Sequence, residues 1–178
     1  MSNVLRANNA PDTIKGNASD DIKKGIARII TWNVDRGLAA FGDRIAGRLK
    51  LTEISVNSSE NSSKKKEGLI ICELDVEKDM VNGGGKLHGG CSAFLIDLCT
   101  SLPIAVLAGV PAVSQSINMI YHAPATVGSR LRIVTKSVAI GSRIYTSRGE
   151  IWDITNDRLV ASGTHIKMAP SAQLSTKL

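Results

Sequence analysis

Aromatic residues are scarce in this 178-residue sequence: two Phe, two Trp and two Tyr, 3% of the chain. That leaves few faces on which bases could stack and argues against a nucleic-acid partner. The net charge of +6 suits an anionic partner of some kind, whether nucleic acid, membrane surface or a phosphate-bearing small molecule. The basic residues, however, are scattered, with one short run at Lys64-Lys65-Lys66, so the stripe of a nucleic-acid binder is missing too. Cysteine is equally sparse. Cys72, Cys91 and Cys99 all sit in apolar contexts, an odd set that reads as reduced and intracellular rather than as a disulfide framework. His88 lies near two of them, but the paired spacing of a zinc site is missing. There is no G-x-S-x-G elbow, which disfavours a serine hydrolase, and Gly85-Lys86 lacks the upstream glycine of a phosphate-binding loop. The N-terminus has no apolar core of a secretory signal; it contains Asp12 and is not Arg-rich, so support for a mitochondrial transit peptide is weak.

What is present is an aliphatic chain, 43% hydrophobic, long enough for one domain and one core. Residues 1–19 read as disordered. Residues 20–45 hold a helix, with apolar Ile22, Ile26, Ile29 and Ile30 at helical spacing and acids in its first turn, and then a connector. Strands are predicted at Arg48–Asn57, where the alternation is imperfect, and at Leu69–Glu77. Ser58–Gly68 between them reads as a solvated hairpin loop whose lysines serve solubility. The apolar stretch Cys91–Val110 could pass for a membrane span, but Asp97 and Pro103 interrupt it and a buried helix is the better reading. Four strand-like segments follow up to Met168, and residues 169–178 read as a frayed tail. One long helix among hairpin-connected strands predicts an α+β architecture with an antiparallel sheet.

The chemistry concentrates in "NGGGKLHGGCSAFLID", Asn82 to Asp97. Gly83, Gly84 and Gly85 allow a tight turn without side chains. Gly89 and Gly90 open a helix, whose first N–H groups are unpaired and carry partial positive charge. An acyl oxygen can approach such groups closely, which makes an oxyanion site; a glycine turn chosen for backbone geometry alone is the other reading. Asp97 is a carboxylate on an apolar helix: a structural acid, a general base or a nucleophile tuned by burial. Gly89 and Asp97 are separated by about 12 Å along one helix. Acting on one carbonyl, they must therefore come from two copies, which predicts a dimer with the site across its seam.

The spaced set Asn82, His88-Gly89-Gly90, Asp97 and Ser114, in this order of elements, resembles the hotdog-fold acyl-CoA thioesterases. The resemblance is to the PaaI-like branch, near the eukaryotic thioesterase superfamily member or acyl-coenzyme A thioesterase 13 group, and covers residues 46–168. It implies a hotdog fold, an antiparallel sheet wrapped around a central helix from about His88 to Ala108. It implies hydrolysis of acyl-CoA without metal or redox cofactor, coenzyme A being part of the substrate. By the same resemblance Asp97 activates water or attacks directly, Gly89 N–H polarises the thioester carbonyl, Asn82 and His88 support that side, and Ser114 positions water beside the aspartate of its own subunit. A homodimer is then the minimal unit and a homotetramer the expected assembly. Coenzyme A contacts are expected at Tyr121 and at the turn bearing Gly141, Ser142 and Arg143, while His122 and His165 read as strand-edge or interface residues. A cytoplasmic or mitochondrial location is expected. Pro103, which should kink or end the helix, the long Ser58–Glu67 loop and the long segment before residue 46 depart from the family pattern. Two rivals share the ligand: a hotdog enoyl-CoA hydratase or dehydratase, which would need a His and acid pair aimed at the acyl α and β carbons, and a non-catalytic acyl-CoA-binding protein.

Overall fold

Alternation of side chains sets the sheet. In β4 (Arg130–Ile140) Leu131, Ile133, Thr135 and Ser137 are buried at every second position, and in β5 (Ile144–Asp153) Tyr145, Ser147, Gly149, Ile151 and Asp153 are, as a pleated strand with one covered face requires. The computed structural model describes residues 9–35, 40–59 and 62–170. The other strands are β1 (Lys50–Ser59), β2 (Ser62–Asp75), β3 (Val113–Tyr121) and β6 (Arg158–Met168). All pairings are antiparallel, in the order β1-β2-β4-β5-β6-β3. β3 thus crosses to the far edge beside β6, and β4 returns to pair with β2.

Three α-helices lie among the described residues: α1 (Asp20–Asp35), α2 (Asp43–Ala46) and α3 (Gly89–Ala108). By length and composition α3 could cross a bilayer. Here it is the core helix: it packs on β2, β4, β5 and β6 and buries Leu95, Ile96, Cys99 and Leu102 almost completely. Pro103 does not end it, since the helix continues to Ala108. The proline is buried against Gly68 of β2, where an added Cβ would meet Pro103 O at 3.1 Å; this packing offsets the helical hydrogen bond that proline cannot make. The imperfect alternation of β1 has a cause in a register shift between Leu51 and Glu53, one extra residue that resets the pattern. The expected hairpin loop is largely strand: Lys66 pairs with Ser58, and Lys64, Lys65 and Lys66 lie exposed within β2.

The expectation of disorder up to Ser19 fails for residues 9–19. Asn9 is buried; its side-chain amide donates to Leu49 O at 3.1 Å and its Oδ1 accepts from Leu51 N at 2.7 Å. Lys15 and Ala18 donate backbone bonds to Thr52 O and Ile54 O, and Asn17 brackets Val56 in the same way as Asn9 brackets β1 upstream. A polar, amide-rich segment looks disordered by composition yet supplies what an edge strand lacks, partners for its outward backbone groups. Gly16 is required there: its φ is +95° and an added Cβ would lie 2.2 Å from Ile54 O. Residues 1–8, part of the connector at 36–39, and the tail from 171 onward lie outside the described residues.

The closest approach of α3 to the sheet is at Gly149 and Gly163. A Cβ at Gly149 would come within 2.8 Å of Thr100 Cγ2 and 2.9 Å of Ile96 Cδ1. Replacing Gly149 by valine is therefore expected to destabilise the fold by about 1–3 kcal/mol through overpacking, read as a lower urea midpoint. An unchanged midpoint would show that the helix does not seat at this distance.

Candidate functional site

The glycine turn is closed by Asn82. Its Oδ1 accepts from Gly84 N–H at 2.9 Å and Lys86 N–H at 3.2 Å, its backbone N–H donates to Lys86 O at 2.8 Å, and its carbonyl accepts from Gly85 N–H at 2.9 Å. His88 is the N-cap of α3: its ring Nδ1 accepts from Gly90 N–H at 2.9 Å, so its proton is on Nε2. Tyr121 at the end of β3 donates its hydroxyl to Gly89 O at 3.2 Å. Among the described residues, nothing accepts a hydrogen bond from Gly89 N–H. Asn82, His88 and Gly89 therefore form a turn that holds one free amide donor at a helix N-terminus, where the dipole favours negative charge.

Two turns along α3 a second cluster forms around Asp97. Ser114, near the start of β3, donates its hydroxyl to Asp97 Oδ1 at 3.1 Å. Lys167 of β6 donates to Ser114 Oγ at 3.2 Å and to Ser101 Oγ at 2.9 Å; an ammonium has donors only, so the single Ser114 proton is committed to the carboxylate. Ser101 Oγ in turn donates to Asp97 O at 2.7 Å. His165 sits behind the carboxylate, fully buried, with Nε2 3.4 Å from Asp97 Oδ1 and Nδ1 2.7 Å from Thr100 Oγ1. Burial first, and the nearby Lys167 charge second, push the His165 ring down to about 4 against the opposing pull of Asp97, so the ring is neutral at physiological pH. Burial also lowers the Lys167 ammonium below the ordinary lysine range, again opposed by Asp97. Asp97 itself is not enclosed: its side chain is 45% exposed. Burial, the reason for singling it out in the sequence, is thus not what marks it in the chain. What marks it is this set of donors on one side and solvent on the other.

The two clusters do not meet within one chain. Gly89 and Asp97 are the first and ninth residues of α3, about 12 Å apart along the axis. They are touched by opposite ends of β3, Tyr121 at one and Ser114 at the other. The residues expected to contact coenzyme A divide in the same way. Gly141, Ser142 and Arg143 form the exposed β4–β5 turn, at the Ser114 end, because Ile144 and Val113 both pair with Met168. Tyr121 pairs with Ala161 at the other end.

This architecture and this residue set have relatives. The thioesterase superfamily profile matches residues 84–160. Human acyl-coenzyme A thioesterase 13 is 32% identical over 101 residues, covering 56% of this chain and 72% of that protein. The zebrafish thioesterase superfamily member 2 structure superposes with a TM-score of 0.66 at 27% identity, over 80% of this chain and 94% of that one. A hypothetical thioesterase protein from Streptococcus pneumoniae TIGR4, solved with coenzyme A, shares the fold at 20% identity, with a TM-score of 0.55 over 57% of this chain and 78% of that one. The chain belongs to the thioesterase superfamily.

Around Asp97 the spacing of motifs does not point to His165, Lys167 or Thr100, which the fold brings there. His165 had the bland reading of a strand-edge or interface residue, but it lies in the interior beside Asp97. The signal was present: His165 and Lys167 are two apart on β6 and so share a face, and a lysine on the covered face of a strand needs polar partners. His122, by contrast, follows edge strand β3 and rests on Ser162 Oγ at 3.0 Å, in line with its bland reading.

The buried imidazole gives a pH signature. An unfolded histidine titrates near 6.5, so between pH 6.5 and about 4 the unfolded chain binds a proton that the native ring refuses. This contribution to stability is fully present above 6.5 and is lost as pH falls towards 4. By pH 5 the loss is about 2 kcal/mol. Urea unfolding of wild type and His165→Gln at pH 7 and pH 5 is expected to show that much less pH dependence in the variant; equal dependence would refute a buried neutral ring.

Proposed function

We propose that this thioesterase hydrolyses acyl-CoA to a free acid and coenzyme A at a site shared between two copies of the chain. One observation carries the reading: a solvent-facing carboxylate whose Oδ1 accepts a hydrogen bond from Ser114, matched by a free Gly89 amide on a helix start too distant to serve it in the same chain. Asp97 delivers the oxygen, from a water it deprotonates or from its own carboxylate. The carbonyl oxygen becomes an oxyanion that accepts from the partner subunit's Gly89 N–H. Collapse breaks the C–S bond: on the water route the thiolate leaves with the proton that Asp97 took from water, and on the carboxylate route it leaves an anhydride on Asp97 that a water then hydrolyses to the free acid, giving its proton to the thiolate.

The sheet supports such a pair. β3 is an edge strand with Val113, Ile120 and Tyr121 about half exposed, a surface suited to antiparallel pairing with a second β3. Pairing about Ile117 and Asn118 brings the Ser114 end of one strand to the Tyr121 end of the other, joining Asp97 to the opposite glycine turn and Arg143 to the opposite Tyr121. Arg143 then meets a coenzyme A phosphate, with Gly141 and Ser142 giving the turn its close approach. Two such dimers form the proposed tetramer, and the three free thiols suit a cytoplasmic or mitochondrial compartment.

The hydratase rival gains a His and acid pair in His165 and Asp97, but that imidazole is fully buried behind the carboxylate and has no path to an acyl α or β carbon. A panel of acyl-CoAs, with thiol release followed by Ellman's reagent, is expected to show hydrolysis and no hydration of an enoyl-CoA. Tight binding without release would favour the non-catalytic rival. Asp97→Asn is expected to lower turnover at least about 100-fold with an unchanged circular dichroism spectrum.

Subunit mixing tests the shared site. Asp97→Asn and Asn82→Leu are each expected to be nearly inactive. Refolded together, they recover about a quarter of wild-type activity, since half the dimers are mixed and one of their two sites is intact. No recovery, in a mixture shown by native mass spectrometry with one variant isotope-labelled to contain mixed dimers, would place the whole site within one chain.

A further inference from the structure

Along α3 beyond Asp97, Ser101 is one turn on and Ala105 and Gly109 follow at four-residue spacing, drifting round the helix towards the side that Leu102 and Val106 occupy. α1 lies over that side, presenting Ile22, Gly25, Ile26 and Ile29, again at helical spacing. The two helices meet at buried Ile26 and leave beside it a cleft of about 380 Å³ that is open to solvent at Gly25, Ile29 and Val110, and a smaller one of about 130 Å³ adjoins it. The cavities share Ile29, Ala105, Val110 and Pro111.

The smaller cavity reaches Ser101 and Lys167, the pair that holds Ser114 against Asp97. The groove is therefore polar where it meets the carboxylate cluster and apolar beyond it. That is the polarity of an acyl thioester, with a polar head and a hydrocarbon tail. An open apolar cleft of this kind gains from being covered by an apolar ligand.

We propose that the groove between α1 and α3 holds the acyl chain of the substrate and that Gly25 sets its length limit. This rests on the thioester hydrolysis proposed above. From Ser101 to Gly109 the helix rises about 12 Å, room for roughly nine or ten carbons at about 1.3 Å each, the projection of a 1.5 Å C–C bond. Gly25 faces the larger cavity in the half of the groove remote from Lys167, and a Cβ built there meets nothing within 4 Å. A side chain at this position fills the groove without a clash, and a glycine lost from a helix interior favours the helix.

The experiment compares kcat/KM for butanoyl-CoA and dodecanoyl-CoA in wild type and Gly25→Leu. Each methylene denied burial costs about fourfold, so excluding two lowers the dodecanoyl-to-butanoyl ratio at least about tenfold. Ile29→Trp, at the junction of the two cavities, is the second variant and is expected to lower the ratio in the same sense. A ratio unchanged in both variants overturns the proposal. If wild type cleaves neither thioester, the hydrolysis reading fails on its own, and dodecanoate binding by equilibrium dialysis decides the groove. Binding weakened at least about tenfold by Gly25→Leu supports the groove; equal binding, or none in wild type, overturns it.

Discussion

The site depends on how closely α3 can sit on the sheet. Bare positions at Gly149 and Gly163 let the helix sink until Ile96 and Thr100 rest on the strands. Thr100 then reaches the His165 ring, and Asp97, on the next face round, meets His165 and Ser114 from two different strands. A few tenths of an ångström here would decide whether those groups touch, because packed interiors do not stretch smoothly. The scarcity of aromatic residues belongs to the same design, since a core of Ile, Leu and Val leaves room for a helix to lie this near a sheet.

Around the carboxylate the roles divide by burial. His165 is sealed behind it and neutral, so it shapes and supports without carrying charge. Lys167 brings a positive charge, but through Ser114 and Ser101 rather than by direct pairing. The carboxylate keeps an open side, while its other side is held by the Ser114 hydroxyl of β3, which Lys167 of β6 in turn holds. At the glycine turn the opposite economy holds: Asn82 and His88 consume neighbouring amides and leave the Gly89 N–H unclaimed.

Strong periodic elements were legible in the sequence. α1, α3 and the strands follow one another in the order that hydrophobic spacing predicts, because each of these segments must present an apolar face to one core, although β2 begins at Ser62, inside the segment read as a loop. Hidden from that reading were features whose cause is non-local. Residues 9–19 are polar and look unstructured, but side-chain amides from Asn9 and Asn17 complete the backbone of β1, and no periodicity reports such a match. His165 and Lys167 read as strand residues because their significance is a meeting with α3 across more than sixty positions of sequence. Pro103 was expected to interrupt the helix because propensity is local, while its packing partner Gly68 is distant in the chain. Asp97, Gly89, Asn82 and Ser114 could be named in advance through their spacing and family resemblance, but the exposure of Asp97 could not.

The sealing of β1 has a consequence for assembly. Asn9, Lys15, Asn17 and Ala18 occupy its outward backbone groups between Leu49 and Val56, whereas no described residue pairs with the outer side of β3. A border filled in this way cannot take another strand, so strand addition to this sheet falls to the β3 margin. The short amide-rich segment thus acts as a stop to growth on its own side.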